Sequence, residues 1–437
     1  MNDATPLPSL RRIHAAYYAA VFLRWFATAL PMALMVLLFQ ARGMTLFQIG
    51  LLLGLHSATI VVLELPTGGV ADAIGRKRAA LLAQGLYLAS TVVFLLAFSL
   101  PAMALGAVLM GSARALASGA LDAWFVDALL AHDADYDLQP SLAHAGTLTI
   151  LGLSLGSLAG GVLPDLVGGA LPADGTAILT PLSLPFVASF VVQLATIAVI
   201  VAFVREVRPA GTDGAAGPAG LAAVGPILRT ALATVRDNRV VALLMVATAA
   251  AGLAVSALET FWQPRFATLL SAGGSDAPTS IFGLLMAGAF ALGVVGNLAS
   301  IPASRLLDRR YGLVAALAYL ASGTAIVLLA TRSGMPAAIA AFWAAYLFNA
   351  LSDSPIGTLL NAEVPSAQRS ATLSVVSLAG YLGAGAGSVA FGALAQASGI
   401  PAVWVVAGVL LAASCLPLLA VDRLRRGARG GPRVTVP

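Results

Sequence analysis

Residues 68–78 read Gly68-Gly69-Val70-Ala71-Asp72-Ala73-Ile74-Gly75-Arg76-Lys77-Arg78. Glycines permit a sharp turn, and three consecutive cations follow the last of them. The run is bounded by two apolar stretches, near 46–66 and 79–99. Each is close to the 20 or so apolar residues that cross a bilayer core as a helix. A short basic loop between two such stretches is the signature of a helical hairpin turning at the cytoplasmic surface of a membrane.

The rest of the chain repeats this arrangement. Of its 437 residues, 59% are hydrophobic and only 10% charged, where soluble domains carry roughly 25% charged residues. A soluble cytosolic enzyme and a disordered chain are both excluded by this balance. Twelve membrane-length stretches can be read: 14–40, 46–66, 79–99, 102–130, 141–163, 182–204, 239–269, 280–303, 312–330, 336–363, 371–396 and 401–420. None alternates with period two, which argues against a β-barrel. The first is too long for a signal-peptide core and is expected to be retained. With the N-terminus placed inside, 19 of the 24 lysines and arginines fall in cytoplasmic segments and two, Arg42 and Arg332, in outside loops. That bias predicts an even number of spans with both termini cytoplasmic. One lysine against 23 arginines, with abundant alanine and glycine, points to a GC-rich bacterial genome and so to a bacterial inner membrane.

The longest cytoplasmic connection, 205–238, divides the spans six and six. It opens with a Pro/Gly/Ala-rich linker and continues as an amphipathic stretch over 226–237, expected to lie at the membrane surface. The domains expected are a six-helix bundle over 1–204, this linker with its interfacial helix, and a six-helix bundle with a basic tail over 239–437. The halves echo one another. Gly152–Gly161 reads GLSLGSLAGG and Gly383–Gly392 reads GAGAGSVAFG, identical at five of ten positions and 231 residues apart. Small residues every four let helices approach closely, so Gly152, Gly156, Gly160, Gly161, Gly383 and Gly387 are read as packing positions.

The loop at 68–78 resembles the G-x-x-x-D-x-x-G-R-K signature of the major facilitator superfamily, and the resemblance extends over the whole chain. It implies an all-α membrane protein of twelve helices in two pseudo-symmetric six-helix bundles. Arg305–Gly312 reads as a decayed second copy of the loop with one extra residue. The resemblance further implies a conformational latch made by Gly68, Asp72, Gly75 and Arg76 with Asp127 at the inner end of the fourth span. Span five is similar to the glycine motif of drug:proton antiporters, with Ser157 where proline is usual. Arg114-Ala-Leu-Ala-Ser-Gly119 resembles an R-x-x-x-x-G element linked in that family to proton transfer.

Ionisable groups within spans are costly, roughly 2.5–3.5 kcal/mol at mid-helix on insertion scales, and mark candidate function. The deep ones are Arg24, Arg114, Asp122, Glu259 and Asp353; Glu64 and Glu363 lie nearer inner ends. Arg114 and Asp122, eight residues apart, are expected on nearly one face of one helix about 12 Å apart. Asp122 reads either as a proton carrier or as the structural partner of an arginine, with Glu259 and Asp353 as rivals for the first role. Trp25, Trp124, Trp262 and Trp343 are candidate cavity aromatics, suited to a hydrophobic cation. Four scattered histidines and one cysteine make no metal-ligand pattern, and no nucleotide or hydrolase motif is present. No cofactor or enzyme activity is expected. The expectation is a secondary transporter, acting as a monomer by alternating access. Its expected partners are a small-molecule substrate, protons and the lipid bilayer, with no nucleic acid. Proton-coupled efflux of hydrophobic or cationic compounds is the first reading; uptake or facilitated transport of a sugar, organic acid or other metabolite is the alternative.

Overall fold

A computed structural model describes residues 9–172, 175–205, 221–272, 278–364 and 369–430. Among the described residues sixteen α-helices follow one another: α1 Leu10–Met32, α2 Met35–Ala41, α3 Leu46–Ile74, α4 Arg76–Leu96, α5 Leu100–Ala117, α6 Ala120–Leu130, α7 Leu138–Val167, α8 Leu184–Phe203, α9 Leu221–Asp237, α10 Arg239–Ala272, α11 Ser280–Leu306, α12 Tyr311–Thr331, α13 Met335–Glu363, α14 Arg369–Ser398, α15 Ile400–Ala413 and α16 Cys415–Gly430. Among the described residues they supply twelve stretches long and apolar enough to cross a membrane. Three of these stretches are interrupted. The first divides at Ala33–Leu34, just past Pro31, whose ring disfavours an uninterrupted helix. The last divides at Ser414.

The third interruption corrects the sequence reading. The fourth span is two helices, α5 and α6, separated by Ser118 and Gly119. Ser118 is extended and Gly119 takes φ +77°, a left-handed conformation that glycine adopts without penalty. Arg114 therefore lies in the last turn of one helix and Asp122 in the first turn of another, so the single-helix geometry expected for them, one face and a rise of about 12 Å, does not apply. A helix, α9, covers the predicted amphipathic stretch, with Arg229 and Arg236 exposed.

Two compact units can be distinguished: Met1–Gln48 with Leu55–Gly225 and Asp276–Ala287, and Ile49–Gly54 with Pro226–Ser275 and Gly288–Pro437. In the first, α1 packs on α7 and α8, and α4 on α5 and α8; in the second, α10 packs on α14 and α15, and α12 on α13 and α15. Within each, glycines set the closest helix approach. A Cβ on Gly152 would come 2.8 Å from the Phe22 carbonyl oxygen and 3.1 Å from the Phe26 nitrogen of α1. One on Gly156 would run into the Phe26 carbonyl oxygen, and one on Gly160 into that of Leu30. In the second unit, a Cβ on Gly383 would strike the Ala249 carbonyl oxygen and lie 3.1 Å from the Leu253 nitrogen of α10; one on Gly387 would lie 2.6 Å from the Leu253 carbonyl oxygen. Phe22 and Phe26 correspond in order to Ala249 and Leu253, each 227 residues on, and the same two backbone atoms are met. A further correspondence joins α4 to α5 and α12 to α13. Ser90 Oγ donates to the Gly106 carbonyl at 2.9 Å, and Ser322 Oγ to the Ala345 carbonyl at 2.9 Å. The weak sequence repeat is thus a repeat of helix register.

Three polar contacts that the sequence did not advertise fix loops and helix ends. The buried Arg42 guanidinium donates to the Phe94, Leu95 and Ala97 carbonyls at the end of α4 and lies over the Phe98 ring, 4.5 Å from its centroid. Burial pulls its pKa below the usual arginine value. Asp165, near the end of α7, accepts from the Thr279 and Ser280 backbone N–H groups at 2.7 and 2.9 Å and from Thr279 Oγ1 at 2.8 Å, so it caps the start of α11 within the first unit. Glu363, at the end of α13, accepts from Asn238 Nδ2 at 3.2 Å and lies 3.5 Å from Arg425 Nε, which is a structural role.

The glycine contacts are directly testable. Gly160→Ala is expected to destabilise the protein by about 1–3 kcal/mol, the usual cost of overpacking. Gly146→Ala, on the same helix but with nothing within 4 Å of its Cβ, is expected to stabilise by roughly 0.5–1 kcal/mol. Thermal unfolding of the two variants in detergent measures the opposite signs.

Candidate functional site

The deep acids sit where apolar packing gives way. Asp122, Glu259 and Asp353 are all exposed, although their neighbours Leu121, Leu258, Thr260 and Ser352 are buried. A carboxylate facing lipid is disfavoured, and each of these three keeps accessible surface.

In the first unit, Asp122 lies in the first turn of α6, where the helix dipole favours negative charge. Its Oδ1 accepts a 2.6 Å hydrogen bond from the Tyr17 hydroxyl of α1, a charge-assisted contact if the carboxylate is ionised. Phe125 stacks on Tyr17 with ring centroids 3.9 Å apart and planes 7° from parallel. Of the two readings for Asp122, partnership with an arginine is not what is found: its partner is a tyrosine. Arg114 instead ends α5, a favourable place for a cation, and acts electrostatically on His56 and Glu64, both of α3. His56 Nδ1 and Glu64 Oε2 are buried and have no hydrogen-bond partner among the described residues. This His56–Glu64–Arg114 group was not legible as such. His56 is a lone histidine in an apolar run, and only the packing of α5 against α3 at Gly111, whose Cβ would lie 2.7 Å from the His56 carbonyl oxygen, brings it to Arg114. Arg24, on α1, lies over the neighbouring Trp25 ring at 5.2 Å.

In the second unit, Glu259 of α10 acts electrostatically on Tyr346 of α13, whose hydroxyl is buried without a hydrogen-bond partner among the described residues. Beside them runs an aromatic chain: Trp262 to Phe342 at 5.4 Å, Phe266 to Phe342 at 5.5 Å and Phe342 to Tyr346 at 5.1 Å between centroids. Arg265 does not pair with Glu259; its Nη2 donates to the Arg332 carbonyl at 3.1 Å. Asp353, two residues before Pro355 on α13, acts on Tyr319 of α12.

The tryptophan reading requires correction. Trp124 and Trp262 are each 2% exposed and belong to packed core, not to open space. Trp124 is held there by donating Nε1 to the Arg205 carbonyl at 2.6 Å, and an indole whose one polar atom is satisfied packs as a large apolar group. Trp25 is half-buried, as is Trp343, against which a Cβ on Gly288 would clash at 2.6 Å.

At the turn that opened the sequence reading, Gly75 takes φ +92° and begins α4. Arg76 Nε lies 2.9 Å from Asp127 Oδ2 of α6, both about one-third exposed. Gly68 and the Asp72 side chain lie outside the described residues. At the second copy of the loop, two non-glycine residues make the turn, Asp308 and Arg309, with φ +51° and +56°.

Twelve apolar helices, a repeated register and this basic glycine turn agree with one comparison in particular: the family model described as Major Facilitator Superfamily matches residues 17–312. The chain belongs to the major facilitator superfamily. Solved structures of superfamily transporters share its fold. The nucleoside transporter NupG superposes with a TM-score of 0.72 at 11% identity, covering 94% of this chain and 98% of its own. A bacterial homolog of the human lysosomal transporter Spinster gives 0.74 at 16%, covering 97% and 100%. The peptide transporter POT, in complex with sulfate, gives 0.70 at 15%, covering 94% and 95%. No curated protein matches the sequence. Membership of the superfamily and the twelve membrane-length helices make this a multi-pass membrane transporter.

The ion pair between Arg76 and Asp127 predicts a modest coupling, because exposed pairs are worth about 0–1 kcal/mol. Arg76→Ala and Asp127→Asn are expected to give equal shifts in cysteine crosslinking between loop ends on the side of the α3–α4 turn, and the double variant no further shift. Additive shifts, or none, would show that the pair has no part in conformational control.

Proposed function

We propose that this transporter couples proton movement to the efflux of hydrophobic or cationic small molecules, as in the drug:proton antiporter branch that its glycine motif resembles. The observation that carries the reading is the state of the deep carboxylates. Asp122 and Glu259 lie in membrane-length stretches, keep accessible surface, stand beside aromatic rings, and have no salt bridge among the described residues. Tyr17 offers Asp122 a hydrogen bond but no countercharge. A proton or an organic cation supplies what is lacking, and competition between the two for one carboxylate is the simplest basis for exchange. Aromatic faces nearby favour a cation with apolar surface.

In this reading residues 1–204 and 239–437 are the moving bundles and 205–238 the linker, the protein works as a monomer in a bacterial inner membrane, and both termini are cytoplasmic. Alternating access then carries the substrate past a site near the bilayer midplane. The pair Arg76–Asp127 acts as part of the latch, with Asp72 as its third member. A second reading, transport of an anionic metabolite, is favoured by Arg24 and Arg114, which lie within spans and have no salt bridge among the described residues.

Inverted vesicles energised with an acid interior discriminate the two. The expected outcome is accumulation of a lipophilic cation such as tetraphenylphosphonium, reduced at least tenfold by Asp122→Asn, with Glu259→Gln and Asp353→Asn as comparisons. Loss in Glu259→Gln alone would move the proton site to α10. Accumulation of organic anions and not of cations would establish the second reading.

A further inference from the structure

At one end of the second unit, the turn into α12, the last turns of α13 and the far part of α16 enclose a pocket. Four guanidinium groups line it, Arg309, Arg310, Arg425 and Arg426, together with the carboxylate of Asp422. Two of the four are engaged. Arg310 donates to Asp422 Oδ2 from Nη2 at 2.6 Å and from Nε at 3.2 Å, a contact that raises the Arg310 pKa. Arg425 faces Glu363 at 3.5 Å. Asp308 lies beside Arg310 and adds to its field. Among the described residues Arg309 and Arg426 have no carboxylate partner, and both are exposed.

The surroundings favour an anion. A Cβ on Gly312 would lie 2.9 Å from the Leu418 carbonyl oxygen and from Asp422 Cβ, so α16 lies directly against the first turn of α12. That turn has no side-chain cap, and its free N–H groups carry partial positive charge. Two unpaired guanidinium groups beside it would repel one another in the absence of a counterion. The guanidinium fork matches the oxygens of phosphate. The pocket also lies where α12 enters its apolar stretch, the level at which lipid headgroups meet basic side chains.

We propose that this pocket binds a phosphate group, either of an anionic phospholipid or of a soluble phosphate compound, with Arg309 and Arg426 supplying the countercharge. The proposal does not rest on the direction or coupling of transport, and it is tested by binding alone. Native mass spectrometry of the full chain in neutral detergent would compare phosphatidylglycerol with phosphatidylcholine, and a titration with inorganic pyrophosphate would form the second arm. The expected result is at least tenfold preference for phosphatidylglycerol, lost in Arg309→Gln/Arg426→Gln and kept in Arg12→Gln. Pyrophosphate binding that the double variant weakens tenfold, without phosphatidylglycerol preference, assigns the site to a soluble phosphate. The single variant Arg426→Gln is expected to weaken binding at least threefold, which keeps the test open should the double variant fail to fold. If the wild type binds neither probe, or the variants bind as the wild type does, the proposal is overturned.

Discussion

Backbone-to-backbone contact between helices is the constraint on which the two units depend. In a bilayer the lipid tails are as apolar as the side chains, so helices gain little from hiding apolar surface against one another. Association must come from dispersion at close range and from polar contacts. The glycines of α7 and α14 permit that range, because hydrogen in place of a side chain lets the carbonyls of α1 and α10 come within reach. The same device at equivalent positions explains why a sequence repeat of five identities in ten survives in a chain otherwise diverged between its halves. Register against the partner backbone is what those residues preserve.

Close packing also determines where polar groups can be placed. An acid between tightly apposed helices would meet no water, yet Asp122, Glu259 and Asp353 are exposed. The break between α5 and α6 serves this arrangement. It puts Arg114 in the last turn of one helix and Asp122 in the first turn of another, so a cation sits near a negative helix end and an acid near a positive one. An unbroken helix would have placed both mid-dipole, with no help from the backbone. Discontinuous helices serve ion and substrate sites in other transporters by the same physics.

At the surface, the two copies of the basic loop have diverged in their use of charge. The first places Arg76 against Asp127. The second lacks the turn glycine and bends at Asp308 and Arg309, which presents arginines to a pocket shared with α16. The two turns therefore carry two kinds of electrostatic work, a partly exposed ion pair in one half and a cluster of arginines in the other.

The amino-acid sequence by itself determined the twelve apolar stretches, their division six and six, the glycine positions and the family, because span length, charge bias and small-residue spacing are local quantities that need no knowledge of partners. It also marked Asp122, Glu259 and Asp353, since an ionisable residue in an apolar run stands out by composition alone. Tertiary structure decided which groups meet. Tyr17 reaches Asp122 across 105 residues, Asp165 caps α11 across 114, and His56 joins Arg114 only because α3 and α5 pack at Gly111. It also decided that Trp124 and Trp262 are core, which no spacing distinguishes from a lining position. The break at Ser118–Gly119 lies between the two cases. Glycine makes such a break affordable at many places in this glycine-rich chain, and whether the backbone takes it depends on what the neighbouring helices can satisfy.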